Sequence, residues 1–458
     1  MNLNQILEKI QIILTENELP QDPTSFLLDQ RKRYISENCL VVQPNSVESV
    51  QKVVRFCAEN GVPITPQGGN TGLVGGSVAK SGILLNLSKL NKIRAINLAD
   101  NTITVDAGCV LQNVQAAAQE AGRFFPLSLA SEGSCQIGGN IACNAGGLNV
   151  LRYGTMRDLV VGLEVVLPNG ELISHLQTLH KNTTGYELKH VFIGSEGTLG
   201  IITGATLKLF APAQTTETAW VGVESIHDAV NLLTSIKNQF AERLCSFELM
   251  SRFALQLSSD FSKINQPVDS DWHLLLELTD SLKREDLGHL LAEYLYQNGY
   301  ENSVLAQSEQ ERQNFWTLRE NISASQRDLG VSIKHDIAMP IVQVADFLEN
   351  CGSELQREYP EMRIVVFGHL GDGSLHYNTF LPVKDNRAYE QEDAINQIVY
   401  RHTLAQNGTI AAEHAIGSLK KHWLAQVRTA DEILLMRAIK SQLDPNNLFN
   451  ADKLLPSV

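Results

Sequence analysis

The run Gly368-His369-Leu370-Gly371-Asp372-Gly373-Ser374-Leu375-His376 sets two imidazoles seven residues apart, and Glu413-His414 follows later in the chain. The glycines and the aspartate between the histidines suit a sharp turn. If the chain leaves and returns through a hairpin, His369 and His376 converge on one point. Glu413 would then supply an oxygen ligand, giving a His/His/Glu set with an open position, the pattern of catalytic rather than structural zinc sites. The same donors suit other divalent metals, so the set leaves the ion open. Asn378, two residues beyond His376, shares its face if the segment is a strand, and so reaches the same pocket. Two histidines and a glutamate recur by chance in many sequences; the weight comes from what precedes them.

Two glycine clusters precede them. Pro66-Gln67-Gly68-Gly69-Asn70-Thr71-Gly72-Leu73-Val74-Gly75-Gly76 holds five glycines in eleven residues, and Ser131 to Asn140 runs on to Asn144-Ala145-Gly146-Gly147. Glycine lets the backbone take positive φ and approach a ligand closely, so consecutive N–H groups can cradle an anion. No Gly-Lys-Ser/Thr follows, which excludes a Walker A loop, and neither cluster gives Gly-x-Gly-x-x-Gly at a strand-to-helix turn. One such cluster alone is a plain turn more often than a site. Two of them, both rich in Asn, Ser and Thr, point to a pyrophosphate.

The order of these blocks resembles the flavin dehydrogenases of the vanillyl-alcohol-oxidase/PCMH superfamily, in particular the D-2-hydroxyacid dehydrogenase branch. The matching pieces are Val41 to Pro44, Pro66 to Gly76, Ile137 to Gly147, Gly194-Ser195-Glu196-Gly197-Thr198 through Thr203, Gly368 to His376, Glu413-His414 and Leu443 to Asn450. They cover nearly the whole chain from about residue 35 onward. The resemblance implies an α+β fold: a PCMH-type FAD-binding domain, an antiparallel sheet-and-helix substrate (cap) domain, and a helical C-terminal segment. It assigns FAD contacts to Gly68, Gly69, Asn70, Thr71, Gly72 and Leu73, continued by Ser134, Gly138, Gly139, Asn144 and Gly146, with Gly197 and Ile202 on the adenine or ribitol side and Asn450 from the terminal motif. Covalently flavinylated relatives carry a histidine after the paired glycines; Asn70 stands there instead, so FAD is expected to be non-covalent.

The same resemblance gives the substrate end its roles. A 2-hydroxyacid needs its carboxylate paired, its hydroxyl deprotonated and its α-hydrogen aimed at flavin N5. Arg319 matches the family's clamp on the C1 carboxylate, a contact suited to a planar guanidinium. The metal on His369, His376 and Glu413, zinc by family habit, would polarise the hydroxyl. His414 would take its proton. Read alone, Arg319 is a solvated helix arginine and His414 a packed or surface histidine. Lys334 matches the lysine that pairs with a second carboxylate in the D-2-hydroxyglutarate dehydrogenases of the family. A lysine in a mostly apolar segment is costly to bury without a partner; the plainer reading lets its charged end reach solvent. Ser323 stands at a substrate-contacting position where the family has threonine, Ala415 replaces the glycine of Glu-His-Gly, and Ser374 replaces an asparagine. These departures leave the ligands intact but bear on pocket shape. D-2-Hydroxyglutarate is the first expectation, with D-malate and D-lactate as alternatives. Two other classes stand beside it, a flavin oxidase and a non-catalytic flavin-binding subunit; retention of Arg319, His369, His376, Glu413 and His414 counts against the latter.

Composition narrows the partners. A formal net charge of −14 argues against nucleic acid or an anionic membrane, and requires a locally positive pocket for an anionic substrate. Seven cysteines, without Cys-x-x-Cys, read as reduced thiols of a cytoplasmic protein. Met1 to Pro20 has no basic n-region or apolar core, and no apolar run is long enough for a bilayer, so neither a signal peptide nor a transmembrane segment is expected. Electron-transfer flavoprotein or quinone are the acceptors that fit, and a homodimer is only the general default.

At 458 residues the chain should hold about two or three domains. Their expected spans are a helical lead-in (1–37), the FAD domain (38–213), the substrate and metal domain (214–420) and a C-terminal helical segment (421–458). Helices are expected over Asn4 to Glu16, over Val47 to Asn60 with a Ser46 cap and Gly61 stop, over Arg284 to Gln297, Gln307 to Arg327 and Thr429 to Leu443. Strands are expected at Ile83 to Leu85, Thr102 to Val105, Leu163 to Leu167, Leu199 to Phe210 and Trp272 to Leu278. Pro168-Asn169-Gly170 is a hairpin signal.

Overall fold

Local signals set the helices that start the chain. In the computed structural model, which describes residues 1–283 and 286–456, a capping box at Asn2 opens the helix Leu3–Ile13, which buries Ile6 and Ile10. The helix Val47–Asn60 runs from Ser46, whose hydroxyl accepts from Ser49 N–H, to Gly61 at φ 63°. Both ends fall where the cap residues predict.

The chain divides into two units, the first formed by Met1–Gly147, Tyr153–Pro212 and the chain from Glu413 onward, the second by Leu148–Arg152 and Ala213–Ala412. By this division the second span stops at Ala412 rather than 420.

In the first unit, β1 (Cys39–Val42), β2 (Ile64–Gln67) and β3 (Gly82–Asn86) form a parallel sheet in the order β1-β3-β2. The central β3 is buried along its whole length, which explains its unbroken Ile-Leu-Leu run. Beside β2, Phe449 forms a parallel bridge with Ile64, and Asn450 N–H donates to Ile64 O at 2.9 Å. A second, antiparallel sheet follows: β4 (Ile93–Asn97), β5 (Thr102–Asp106), β6 (Val160–Val166), β7 (Leu172–His175) and β8 (Ile201–Lys208), in the order β4-β5-β8-β6-β7. The Asn169-Gly170 turn joins β6 to β7 as an antiparallel pair. One apolar core unites both sheets with the helix Val47–Asn60 and with Leu448 and Phe449. Arg94 crosses the second sheet, with Nε 2.5 Å from Asp106 and Nη2 2.8 Å from Glu164, and Glu164 also accepts from Thr203 and Ser174. The helix Ala430–Leu443, capped by Thr429, belongs to this unit as well.

The second unit is built on one seven-stranded antiparallel sheet. Its strands are β9 (Thr215–Val223), β10 (Leu244–Ser251), β11 (Trp272–Asp280), β12 (Ser303–Leu305), β13 (Ser332–Ala338), β14 (Arg363–Gly368) and β15 (Ser374–Phe380), in the order β12-β9-β11-β10-β14-β15-β13. Met250, Leu275, Val365, Phe367 and Phe380 pack against Ala254, Leu255, Phe315, Leu318 and Ile322 of the covering helices. The single helix expected over Gln307 to Arg327 is broken. Glu309–Glu320 stops at Asn321, a short turn Ile322–Ser325 follows, and Gln326–Leu329 is 3-10. The Ser325 hydroxyl and the Gln326 amide both donate to Ile322 O, at 3.0 and 2.9 Å, so side chains compete for the carbonyl that would continue the helix. The helix expected from Arg284 is present as Leu287–Gln297; Arg284 and Glu285 lie outside the described residues.

Among the described residues no helix is long and apolar enough to cross a membrane. All seven cysteines are free thiols.

Candidate active site

The first unit holds the glycine cradle. Gln67 at the end of β2 is buried; its amide donates to Phe26 O at 2.9 Å and Ser77 O at 3.1 Å. Its oxygen accepts from Asn86, which also donates to Gly68 O at 3.0 Å. Buried side-chain amides therefore fasten both ends of the loop that starts at Gly68. A Cβ on Gly69 would lie 2.0 Å from Ser134 O, so the two glycine clusters meet backbone to backbone and only glycine fits. Around Gly72 and Gly139 the space a Cβ would occupy is open, so both present bare backbone. Asn70 sits between them at φ 54° and holds the loop from inside, donating to Leu28 O and accepting from Ser77, each at 2.8 Å. Thr71 and Leu73 are half-buried. A wall of bare backbone next to a left-handed residue is what a dinucleotide pyrophosphate requires, so the residues present fit FAD.

The remaining cradle residues are placed as follows. Ser134 is exposed, Gly138 N–H donates to Ala107 O at 2.7 Å, and Gly146 is buried. Asn144, at φ 52°, accepts from Arg157 N–H at 2.9 Å and from the Thr155 hydroxyl at 3.0 Å. Gly197 packs on Pro66, and Ile202 lies in β8 within the apolar core. Asn450 donates to Gly76 O at 3.1 Å and Glu196 O at 2.7 Å, so its amide ties two loops together. Lys453 lies beside it, donating to Gly76 O, Val78 O and the Asn450 side-chain oxygen at 2.9, 2.6 and 3.0 Å. Burial pushes the Lys453 amine down to about 7, while three oxygens match the three N–H groups of its charged form. Glu196 accepts from the N–H groups of Ile416 and Gly417 at 2.9 and 2.7 Å; burial raises its carboxyl above the usual range.

The second unit holds a polar cluster at one end of the covered sheet face. The hairpin of β14 and β15 pairs Phe367 with His376 and Val365 with Asn378, and β13 sets Asp336 opposite His376 and Lys334 opposite Asn378. Strand alternation thus lines up His376, Asn378, Lys334 and Asp336 on one face. The loop His369–Gly373 turns the hairpin, with Gly373 at φ 83° and no room for a Cβ against Met339 O. The His369 and His376 rings are 5.8 Å apart, and each offers a nitrogen within 4.8 Å of the other's. His376 and Asp336 are likewise within 4.8 Å.

Glu248 on β10 organises this end. It is fully buried and bonds His369 Nδ1 at 2.7 Å and Arg319 Nε at 2.7 Å. Burial would raise its carboxyl, but His369 and Arg319 outweigh that and hold it below the usual range. A carboxylate only accepts, so Nδ1 of His369 carries a proton and Nε2 is the nitrogen a metal would take. That donor chemistry, with His376 at hand, fits a divalent ion. Arg319 is therefore no solvated helix arginine: it is buried, and its guanidinium stacks 5.1 Å over the Phe367 ring. Asn378 donates to Gln326 at 2.9 Å. Ser323 is exposed on the short turn Ile322–Ser325, and Lys334 is half-buried. Residues 409–412 run along β13, with Thr409 N–H donating to Ala338 O at 2.7 Å and Ala412 N–H to Asp336 O at 3.3 Å. Glu413 and His414 come next in the chain, in the first unit and half-buried, followed by Ala415 at φ 67°.

The reading from sequence missed Glu248, Gln326, Gln67 and Asn86. A charged residue inside the apolar run Phe247-Glu248-Leu249 was the available signal for the first.

Known proteins match along the chain. Residues 39–175 match the FAD binding domain and residues 212–454 the C-terminal domain of FAD linked oxidases. The chain is 36% identical over 446 residues to a D-2-hydroxyglutarate dehydrogenase of Xanthomonas citri pv. viticola, covering 95% of this chain and 93% of that one. It is 35% identical over 438 residues to a probable mitochondrial D-2-hydroxyglutarate dehydrogenase of Oryza sativa subsp. japonica, covering 94% and 77%. Among solved structures, p-cresol methylhydroxylase with substrate bound superposes with a TM-score of 0.78 at 17% identity, over 98% of this chain and 95% of that one.

Proposed function

Because the chain belongs to the family of FAD-linked oxidases and is an FAD-dependent oxidoreductase, we propose that it oxidises a D-2-hydroxyacid bearing a second carboxylate, D-2-hydroxyglutarate first, to the 2-oxoacid. The observation that carries this reading is the polar sheet end, where buried Glu248 bonds Arg319 and His369, the His376 ring lies 5.8 Å from that of His369, and Lys334 stands opposite Asn378 on the neighbouring strand. When bound, FAD supplies a two-electron acceptor for the C2 hydride, and a divalent metal, zinc by family habit, supplies a Lewis acid for the hydroxyl. The metal would be held by His369 and His376, with Glu413 as third ligand on the strength of the motif alone. Arg319 pairs the C1 carboxylate with the N–H groups that Glu248 does not take. Lys334 pairs the distal carboxylate, and Asn378, opposite it on the neighbouring strand, contacts the substrate. His414 accepts the hydroxyl proton. Ser323 borders the substrate.

FAD is bound non-covalently, since Asn70 offers no ring nitrogen and its amide is engaged within the loop. The cradle contacts are Gly68 to Leu73 and Ser134, Gly138, Gly139, Asn144, Gly146 and Gly197. Ile202 backs the cradle from the core, and Asn450 acts on it through Gly76. Electrons leave to an external acceptor such as electron-transfer flavoprotein or quinone. The free thiols support a reducing compartment, which we take to be the cytoplasm.

Anaerobic mixing of the metal-replete protein with D-2-hydroxyglutarate, D-malate or D-lactate, followed by flavin absorbance, tests the assignment. Bleaching by a dicarboxylate at far lower concentration than by D-lactate supports it. Preference for D-lactate would move the protein to monocarboxylates and leave Lys334 a structural residue.

A further inference from the structure

Glu248 bonds two groups that the proposed chemistry uses for different purposes. Its Oε1 accepts from His369 Nδ1 at 2.7 Å, and its Oε2 lies 2.7 Å from Nε and 2.6 Å from Nη2 of Arg319. The three partners come from separate elements: β10, the last turn of the helix Glu309–Glu320, and the residue after β14. Strand pairing sets Leu249 against Gly368, which brings Glu248 beside His369. Neighbours anchor the arginine too, since Leu318 packs in the core, its carbonyl accepts from Ser258 at 2.5 Å, and Phe367 lies under the guanidinium. Side-chain exposure is 1% for Glu248, 7% for Arg319 and 10% for His369, so water does not compete for these bonds.

We propose that Glu248 is a positioning residue whose single carboxylate fixes both the metal-facing nitrogen of His369 and the orientation of the Arg319 fork, so that metal and substrate carboxylate are received in register. This deepens the metal-assisted reading above and rests on it. The physical basis is the double acceptor. A histidine ligand is oriented by the acceptor on its other nitrogen, and loss of such a partner weakens metal binding by roughly 10–100-fold. An arginine fork bound on one edge presents its remaining N–H groups in one direction. A buried ion pair with no role beyond packing would affect folding alone.

The test uses the FAD-loaded protein with Glu248→Gln and Glu248→Asp. Glutamine keeps the shape but has one acceptor oxygen, and aspartate keeps the charge but withdraws it by one methylene. Zn2+ affinity by calorimetry and KM for D-2-hydroxyglutarate are measured against wild type, with bound FAD and thermal melting as checks on folding. The expected result is a loss of about tenfold or more in Zn2+ affinity together with a KM about tenfold higher or more, at unchanged FAD content. Aspartate serves if glutamine does not fold. Unchanged Zn2+ affinity and unchanged KM would overturn the inference, and a change in only one would overturn the claim that one carboxylate serves both groups. Wild-type protein that binds no Zn2+ would instead sink the metal reading of the preceding section and the His369 half of this one, leaving KM to decide the Arg319 half.

Discussion

At the scale of single residues, Lys334 and Ala415 are the most exposed to test. Lys334 faces Asn378 across the β13–β15 pair, and its proposed work is to select a second carboxylate. Lys334→Met should raise KM for D-2-hydroxyglutarate about 10–100-fold, the loss of a charge-assisted contact, while leaving KM for D-lactate nearly unchanged. Steady-state kinetics on both acids would decide it, and an equal change in both would refute the assignment. Ala415 stands at φ 67°, where its methyl group crowds the following carbonyl at a cost of roughly 1–2 kcal/mol. Glycine relieves that strain and loses part of the gain through its freer unfolded chain. Ala415→Gly should therefore stabilise the protein by about 0.5–1 kcal/mol, seen as a higher melting temperature. A lower one would mean the methyl group makes a contact worth more than the strain.

At the scale of elements, local signals were legible and distant partnerships were not. Ser46 and Gly61 mark their helix, and Asn169-Gly170 its hairpin, because the deciding atoms lie within a few residues of one another. The histidine pair was legible for the same reason: a glycine-rich turn between two strands leaves few other geometries. Glu248 was not, since His369 stands 121 residues from it and nothing in either neighbourhood names the other. The break after Glu320 is not legible in the sequence because it depends on Ser325 and Gln326 bonding one carbonyl, while helical periodicity continues past it. The C-terminal motif was recognised by order, but its mechanics come from the structure, in which Asn450 and Lys453 grip the carbonyls of Gly76 and Val78. Lys453→Met should take the lysine donor from Val78 O, leave Gly76 O to Asn450 alone and loosen the glycine loop, at roughly 1–3 kcal/mol for a buried group that finds no new partner. The expected outcome is flavin lost on gel filtration from the variant and kept by the wild type; full retention would show that Asn450 alone suffices.

At the scale of the whole molecule, acid stability turns on buried carboxylates. Burial would raise the Glu164 carboxyl, but Arg94, Thr203 and Ser174 outweigh it and hold Glu164 below its usual range. The sign follows: a depressed acid contributes stability above its unfolded value near 4.5, and loses it as pH falls through the folded value. Glu164→Gln should lower the melting temperature at pH 7, with the deficit shrinking below pH 4.5; a deficit independent of pH would make the pairing a matter of shape. The net charge of −14 repels an anionic substrate, so the proposed function needs the local positive charge that Arg319, Lys334 and a metal would supply. Finally, Asn450 binds Gly76 across 374 positions of sequence. A ribosome adding about 5–20 residues per second needs roughly 20–75 s to travel that far. Throughout that interval the nascent glycine loop lacks the amide that ties it down, so under the role proposed for Asn450 flavin capture would be a late event in the life of each new chain.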